Sequence, residues 1–348
     1  MLYSFDIDGT LFKNDVEKKN NHLSDKTSWD LTKSIIRGDI ILINTANNVF
    51  TKTKQVVCDV VKPIFEKYET GAKLLNDDEQ KLFVDNFNKN FYVALSAGGL
   101  LAKLKFQVPS EEYYLIEDEN AKDDFIKQNC IIIDRVLYKE NITNKTLKQV
   151  KELFQKDKIV SKRLDTSKWA YLEMENSTNF ADGQKIYSFD EDLPESIKVV
   201  FYTKPYEIVY DDNKTNKNQL TKKELNRVMS DEYKYVAEIL KESGIDANVN
   251  VLWNDFIVIG KVSINKSTPI NYLSKMYGLT KDDCIMFGNE KADLIDDKYA
   301  STIIVKSADF NLDEQNNYWL ADTVEEAFTQ GEFKKIVSDN SQERDLER

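Results

Sequence analysis

The chain has 348 residues, with 48 Lys and Arg against 60 Asp and Glu, a formal net charge of −12. That balance argues against nucleic-acid partners, since sequence-independent binding needs phosphate-neutralising cations. The single histidine, His22, and three scattered cysteines, Cys58, Cys130 and Cys284, argue against histidine-based serine or cysteine nucleophiles, a disulfide framework and a zinc site. No apolar run is long enough to span a bilayer, and no basic-then-apolar leader opens the sequence, so the expectation is a soluble cytoplasmic protein with no membrane association. An acidic protein that handles phosphorylated substrates has to concentrate positive charge locally, through a metal ion and one or two lysines.

In "MLYSFDIDGTLFKND", Leu2 to Phe5 read as a short strand, and Gly9, free to adopt backbone conformations closed to other residues, ends it in a tight turn. Asp6 and Asp8 then lie at the strand's carboxyl end, where open α/β sheets bind ligands. A calcium-loop reading of Asp6, Asp8 and Glu17 fails, because glycine falls at the wrong loop position and there is no room for a preceding helix. "LSDKTSWDLTKSIIRG" predicts a helix capped by Ser24 or Asp25, with Trp29, Leu31, Ile35 and Ile36 inward and Gly38 as its stop. "DIILINT" follows as a buried strand, completing a β-α-β unit with parallel pairing and a right-handed crossover. "KTKQVVCDVVKPIFEKY" reads as a helix broken at Pro63.

"FYVALSAGGLLAKL" predicts strands around a Gly-Gly turn, and the stretch up to about residue 254 mixes short strands, amphipathic helices and the polar connector "DDNKTNKNQLTKKE". This texture is that of an inserted α+β unit. The α/β texture then resumes. "NKSTPINYLSKMYGLT" predicts a helix capped by Ser267 or Thr268 and stopped by Gly278, which places Lys266 just before a helix amino terminus, where backbone N–H groups and an ammonium meet an anion. "DCIMFGN" and "STIIVK" are further buried strands, and the polar tail has no apolar face. The expected domains are a first core part over 1–93, an inserted cap over 94–254, a second core part over 255–335 and a tail over 336–348.

The order "DIDGT", Thr45 after an apolar strand, Lys266, then "GNEKAD" resembles the four motifs of the haloacid dehalogenase superfamily, and the spacing resembles its Cof-type phosphatases with a large cap. "SAGGLL" sits where that group shows an Asn-Gly-Ala turn. The resemblance implies an α/β fold with a Rossmann-like parallel-sheet core and an inserted α+β cap. It implies an Mg²⁺-dependent phosphatase acting on a small phosphorylated metabolite through an aspartyl-phosphate. Asp6 would be the nucleophile and Asp8 the general acid and base. Thr45, Lys266 and Gly9 would hold phosphate, and Mg²⁺ would take Asp6, the backbone carbonyl of Asp8, Asn289 and Asp293. Two positions depart from the pattern: Asn289 stands where the group has an aspartate, and Ala46-Asn47 stands where it has Gly-Arg. Loss of that acid raises a second expectation, a catalytically weakened relative that binds a phosphorylated ligand or a protein partner.

Overall fold

The computed structural model describes residues 1–12, 22–46, 50–64, 75–172, 184–188, 198–203, 207–208, 219–220, 231, 234–252, 256–261, 264–305, 318–330 and 334–336. The chain divides into two compact units. One comprises Met1–Tyr138, Thr178–Phe180 and Asn265–Arg348, and the other Lys139–Ser177 and Ala181–Ile264. Asn47, nearly all of the polar connector and residues 337–348 lie outside the described residues. Among the described residues no helix is long and apolar enough to cross a membrane.

The chain runs through β1 (Leu2–Phe5), α1 (Asp25–Ile36), β2 (Ile40–Asn44), α2 (Phe50–Val61), α3 (Asp77–Asn90), β3 (Phe91–Leu95), β4 (Leu100–Phe106), α4 (Glu119–Phe125) and β5 (Ile131–Lys139). The second unit holds α5 (Asn144–Lys156), α6 (Lys158–Arg163), β6 (Leu164–Leu172), β7 (Gln184–Ser188), β8 (Lys198–Thr203), β9 (Glu207–Ile208) and β10 (Gln219–Leu220). It continues with helix α7, described over residues 234–242, then β11 (Asn248–Leu252) and β12 (Phe256–Gly260). The return to the first unit brings α8 (Ser267–Tyr277), β13 (Cys284–Gly288), β14 (Ser301–Val305), β15 (Tyr318–Ala321) and β16 (Lys334–Ile336).

The first unit is built on a nine-stranded sheet in the order β16-β15-β14-β13-β1-β2-β3-β4-β5. Strands β15 to β3 of that order pair in parallel, and β16 and β4 join antiparallel. Strand β1 is central because both its faces are apolar enough to be covered. On one face Leu2, Leu42 and Met286 pack with Ile270 and Leu273 of α8. On the other, the Phe5 and Phe287 rings stack at 4.8 Å and Phe328 stands edge-on to Phe5 at 5.3 Å. Each such buried side chain contributes about 1.5–3 kcal/mol. With β2 on one side of β1 and β13 on the other, the chain order reverses at β1, which opens a crevice at its carboxyl end.

Helix α1 follows the expectation with an adjustment. Ser24 is the cap, its side chain accepting from the Thr27 N–H, and Leu31 and Ile35 are buried. Trp29 and Ile36 are only half-buried, and Thr27, Ser28 and Thr32 take the inner places. Thr32 belongs there because its hydroxyl donates to the carbonyls of Ser28 and Val60. Helix α2 ends at Val61, and Pro63 lies in the 3₁₀ turn Lys62–Ile64 that follows, as its missing N–H requires.

The second unit carries a five-stranded antiparallel sheet, β11-β12-β8-β6-β7. Leu147, Val150 and Phe154 of α5 pack with Val236, Leu240, Val249 and Ile259. This α+β unit is smaller than the expected cap of 94–254. The Ser96–Gly98 turn returns β4 antiparallel onto β3, and β5 joins the same sheet, so the unit begins at Lys139. At the other end β12 pairs with β11 and β8, and the unit extends to Ile264.

Candidate active site

The central sheet brings three strand ends level. Phe5 pairs with Ile43 on one side and Phe287 on the other, and the Asp6 N–H continues the ladder to the Phe287 carbonyl at 2.9 Å. Asp6, Asn44 and Gly288 therefore sit one residue past a common row. Beyond it the chain turns sharply: Gly9, at φ +79°, donates to the Phe12 carbonyl at 2.8 Å, and Phe12 N–H returns to Ile7 at 2.9 Å. The Gly9 N–H, expected on phosphate, is engaged inside this turn. Its role is conformational.

Lys266 enters this row from the amino end of α8. It is the residue preceding the helix, which corrects the expected cap at Ser267 or Thr268. The Asn265 side chain accepts from the Ser267 N–H at 2.9 Å and does the capping work, so both hydroxyl residues lie inside the first turn. The Asn44 amide donates to the Lys266 carbonyl at 2.8 Å and to Ser4 Oγ at 3.3 Å. Lys266 Nζ then reaches Asp6 Oδ1 at 2.8 Å and also donates to Asp293 Oδ1. All three are buried, with relative exposures of 5% for Asp6, 3% for Lys266 and 0% for Asp293.

Burial pushes the Asp6 carboxyl up to about 7, with Lys266 pulling against it and Asp293 adding to the rise. For Lys266 burial works against the charge, yet Asp293 and then Asp6 outweigh it and hold its pKa above the ordinary lysine value. Two carboxyls thus share one ammonium.

Asp293 was expected on the metal ion. Its Oδ1 is engaged by Lys266 and its Oδ2 accepts from the backbone N–H groups of Asn289 and Glu290, each at 2.9 Å, so it clamps the turn after β13 instead. Gly288 permits this closeness, since a Cβ there would lie 2.1 Å from that of Asp293. Asn289 is buried, and its Oδ1 accepts from the Thr10 hydroxyl at 3.0 Å. Thr45 is buried one residue past β2, with its N–H on the Ala94 carbonyl at 3.0 Å and its own carbonyl accepting from Ala97 N–H at 3.0 Å. Asp8 faces outward: its Oδ1 pairs with Lys52 Nζ of α2 at 2.6 Å. His22 is not part of this cluster; its ring contacts Asp59 Oδ1 at 3.0 Å.

Asn44 and Lys52 were not nominated by the sequence. Asn44 carried a faint signal, a polar residue closing an otherwise apolar strand, and Lys52 carried none, because its partner is remote in sequence. Thr10 closes the "DIDGT" turn, but its contact with Asn289 carried no signal. Among the described residues no three His, Cys, Asp or Glu side chains are grouped as a metal site. Oxygen donors among the described residues include the Asp6 carboxylate, the Asp8 carbonyl and Asn289 Oδ1, which fits a hard cation, with Asn289 supplying one negative charge fewer than an aspartate there would.

A model of the haloacid dehalogenase-like hydrolases matches residues 114–295, just over half of the chain, and the protein belongs to that family. Its solved structural relatives include the HAD subclass IIB sugar phosphatase BT4131, at 13% identity over 95% of this chain and 98% of that one with a TM-score of 0.51. A haloacid dehalogenase-like hydrolase from B. subtilis is 11% identical over 94% of this chain and 98% of its own, again with a TM-score of 0.51. At these identities the likeness speaks for the fold alone, a Rossmann-like, mostly parallel sheet with flanking helices. A search of curated proteins by sequence gives no match.

Proposed function

We propose that the protein is a cytoplasmic Mg²⁺-dependent phosphatase of a small phosphorylated metabolite, sugar-phosphate-like in class, working through an aspartyl-phosphate. The observation that carries this reading is the pairing of a buried Asp6–Lys266–Asp293 cluster with an outward-facing Asp8 two residues on. The two carboxyls have different surroundings: Asp6 is buried against Lys266, and Asp8 is half-exposed beside Lys52. Asp6 attacks phosphorus and the P–O bond to the leaving group breaks, while the Asp8 carboxyl gives its proton to the leaving oxygen. Water then attacks phosphorus, Asp8 takes its proton, and the Asp6–phosphorus bond breaks to release phosphate and restore both carboxyls. Lys266 and Thr45 hold the phosphoryl oxygens, with Lys266 stabilising the charge that develops there. The Asp6 carboxylate, the Asp8 carbonyl and Asn289 Oδ1 would hold Mg²⁺, which when bound would supply further positive charge. Asp293 positions Lys266 and the Asn289 backbone.

Phosphate release from p-nitrophenyl phosphate and a panel of sugar phosphates, with and without Mg²⁺, tests the reading. Turnover that requires Mg²⁺ and falls at least about a thousandfold in Asp6→Asn is the expected result, because that change removes the nucleophile. A folded, metal-saturated protein with no turnover above the variant overturns it. Asn289 favours a second reading, a weakened relative that binds a phosphorylated ligand or a protein partner. Asn289→Asp separates the two. For an enzyme it lowers the Mg²⁺ concentration giving half-maximal activity by roughly 10–100-fold, the scale of changes beside bound metals. Turnover that appears only in Asn289→Asp supports the weakened relative.

A further inference from the structure

Lys52 is the first basic residue after Thr45 in the sequence, and Ala46-Asn47 between them supply no cation. Its Nζ lies 2.6 Å from Asp8 Oδ1, and the two side chains are 33% and 42% exposed, against 3% for Lys266. We propose that Lys52 selects substrates whose leaving group carries a second anion, a carboxylate or a second phosphate, two or three bonds from the ester oxygen. The inference rests on the assignment above that Asp8 meets the leaving oxygen.

The geometry follows from that contact. An ester oxygen hydrogen-bonded to Asp8 lies about 2.7 Å from one of its carboxyl oxygens, so the Lys52 ammonium on Oδ1 lies within roughly 5 Å of a leaving oxygen that meets Oδ1 and within roughly 7 Å of one that meets Oδ2. A substituent two or three bonds further along reaches Nζ. An ammonium has three N–H donors and Asp8 Oδ1 takes one, so a substrate anion joins the pair without displacing it. In the absence of that charge, an anionic leaving group would meet the carboxyls of Asp8, Asp6 and Asp293, and the buried Lys266 is already shared between the latter two. Half-exposure makes the site reachable, and the neighbouring carboxylate fixes the ammonium in place before substrate arrives.

Three esters on one two-carbon skeleton test the proposal: 2-phosphoglycolate, ethylene glycol bisphosphate and the neutral 2-hydroxyethyl phosphate. Calorimetric titration uses the full-length Asp6→Asn protein, which binds without turnover, alone and combined with Lys52→Met or Lys52→Arg. At least one anionic ester is expected to bind roughly tenfold or more tighter than the neutral one, the scale of a hydrogen bond to a charged group. Lys52→Met should bring the esters within about threefold of one another, and Lys52→Arg should retain the preference. Which anionic ester is preferred identifies carboxylate or phosphate as the source. Equal binding in the parent, no binding of any ester, or a preference that survives Lys52→Met overturns the proposal. Wild-type hydrolysis of p-nitrophenyl phosphate, measured alongside, separates the two readings. Hydrolysis without anion preference rejects the role of Lys52 alone, and anion preference without hydrolysis rejects the phosphatase and keeps the site.

Discussion

Two lysine–carboxylate contacts flank the same strand end and live in different solvents. Lys266 is buried between Asp6 and Asp293, whereas Lys52 meets Asp8 at a half-exposed surface. Removed from water, the first set is held by mutual attraction in a low dielectric, and losing the shared ammonium leaves both carboxyls uncompensated. The second set is screened and contributes little to folding. Burial thus makes the Lys266 cluster a fixed frame for chemistry, while partial exposure makes the Lys52 pair available to a substrate.

Breaking the buried cluster has the largest expected effect. Lys266→Met leaves two unpaired buried carboxyls and is expected to destabilise the protein by about 3–5 kcal/mol near neutral pH, read from urea unfolding. A loss under about 1 kcal/mol would mean that the cluster is hydrated and is not the dry frame described.

The sign of the Asp6 shift sharpens the contrast next. Its folded pKa is raised to about 7 by burial, so its contribution to stability is fully present below the unfolded carboxyl value and is lost as pH rises through 7. In metal-free buffer, Asp6→Asn is therefore expected to melt higher than wild type at pH 8, by the equivalent of about 1–3 kcal/mol. The gain should shrink as pH falls from 7 towards 4. A gain that is independent of pH would contradict the buried, up-shifted carboxyl.

The smallest effect belongs to Lys52→Met. Its exposed pair is expected to change stability by less than about 1 kcal/mol, with the difference fading at high salt. A loss comparable to that of Lys266→Met would erase the distinction between the two regions.

Much of the first unit was legible because its cues are local. Apolar runs such as "IILIN" predict strands buried on both faces, Ser24 and Gly278 mark helix ends, and Gly9 marks the turn beside Asp6 and Asp8. The order of strands and helices then identifies the carboxyl end of β1 as the place for chemistry. The sequence order also nominated Thr45, Lys266 and Asn289. The hydrogen-bond partners of Gly9 and Asp293 were not legible, since they depend on how the turns close.

The domain boundary was not legible. β4 and β5 are short apolar strands of a kind either unit could use, and only their pairing with β3 and with each other assigns them to the larger sheet. The same holds for Lys52 beside Asp8, Thr10 beside Asn289 and Asn44 beneath Lys266, contacts made across 44, 279 and 222 residues of chain. The sequence by itself determined the local elements and the chemical types placed at their ends, because dihedral preference and apolar periodicity act over a few residues. The tertiary structure alone decided which charges are paired and which face water, because burial and distance exist only once the strands are in register.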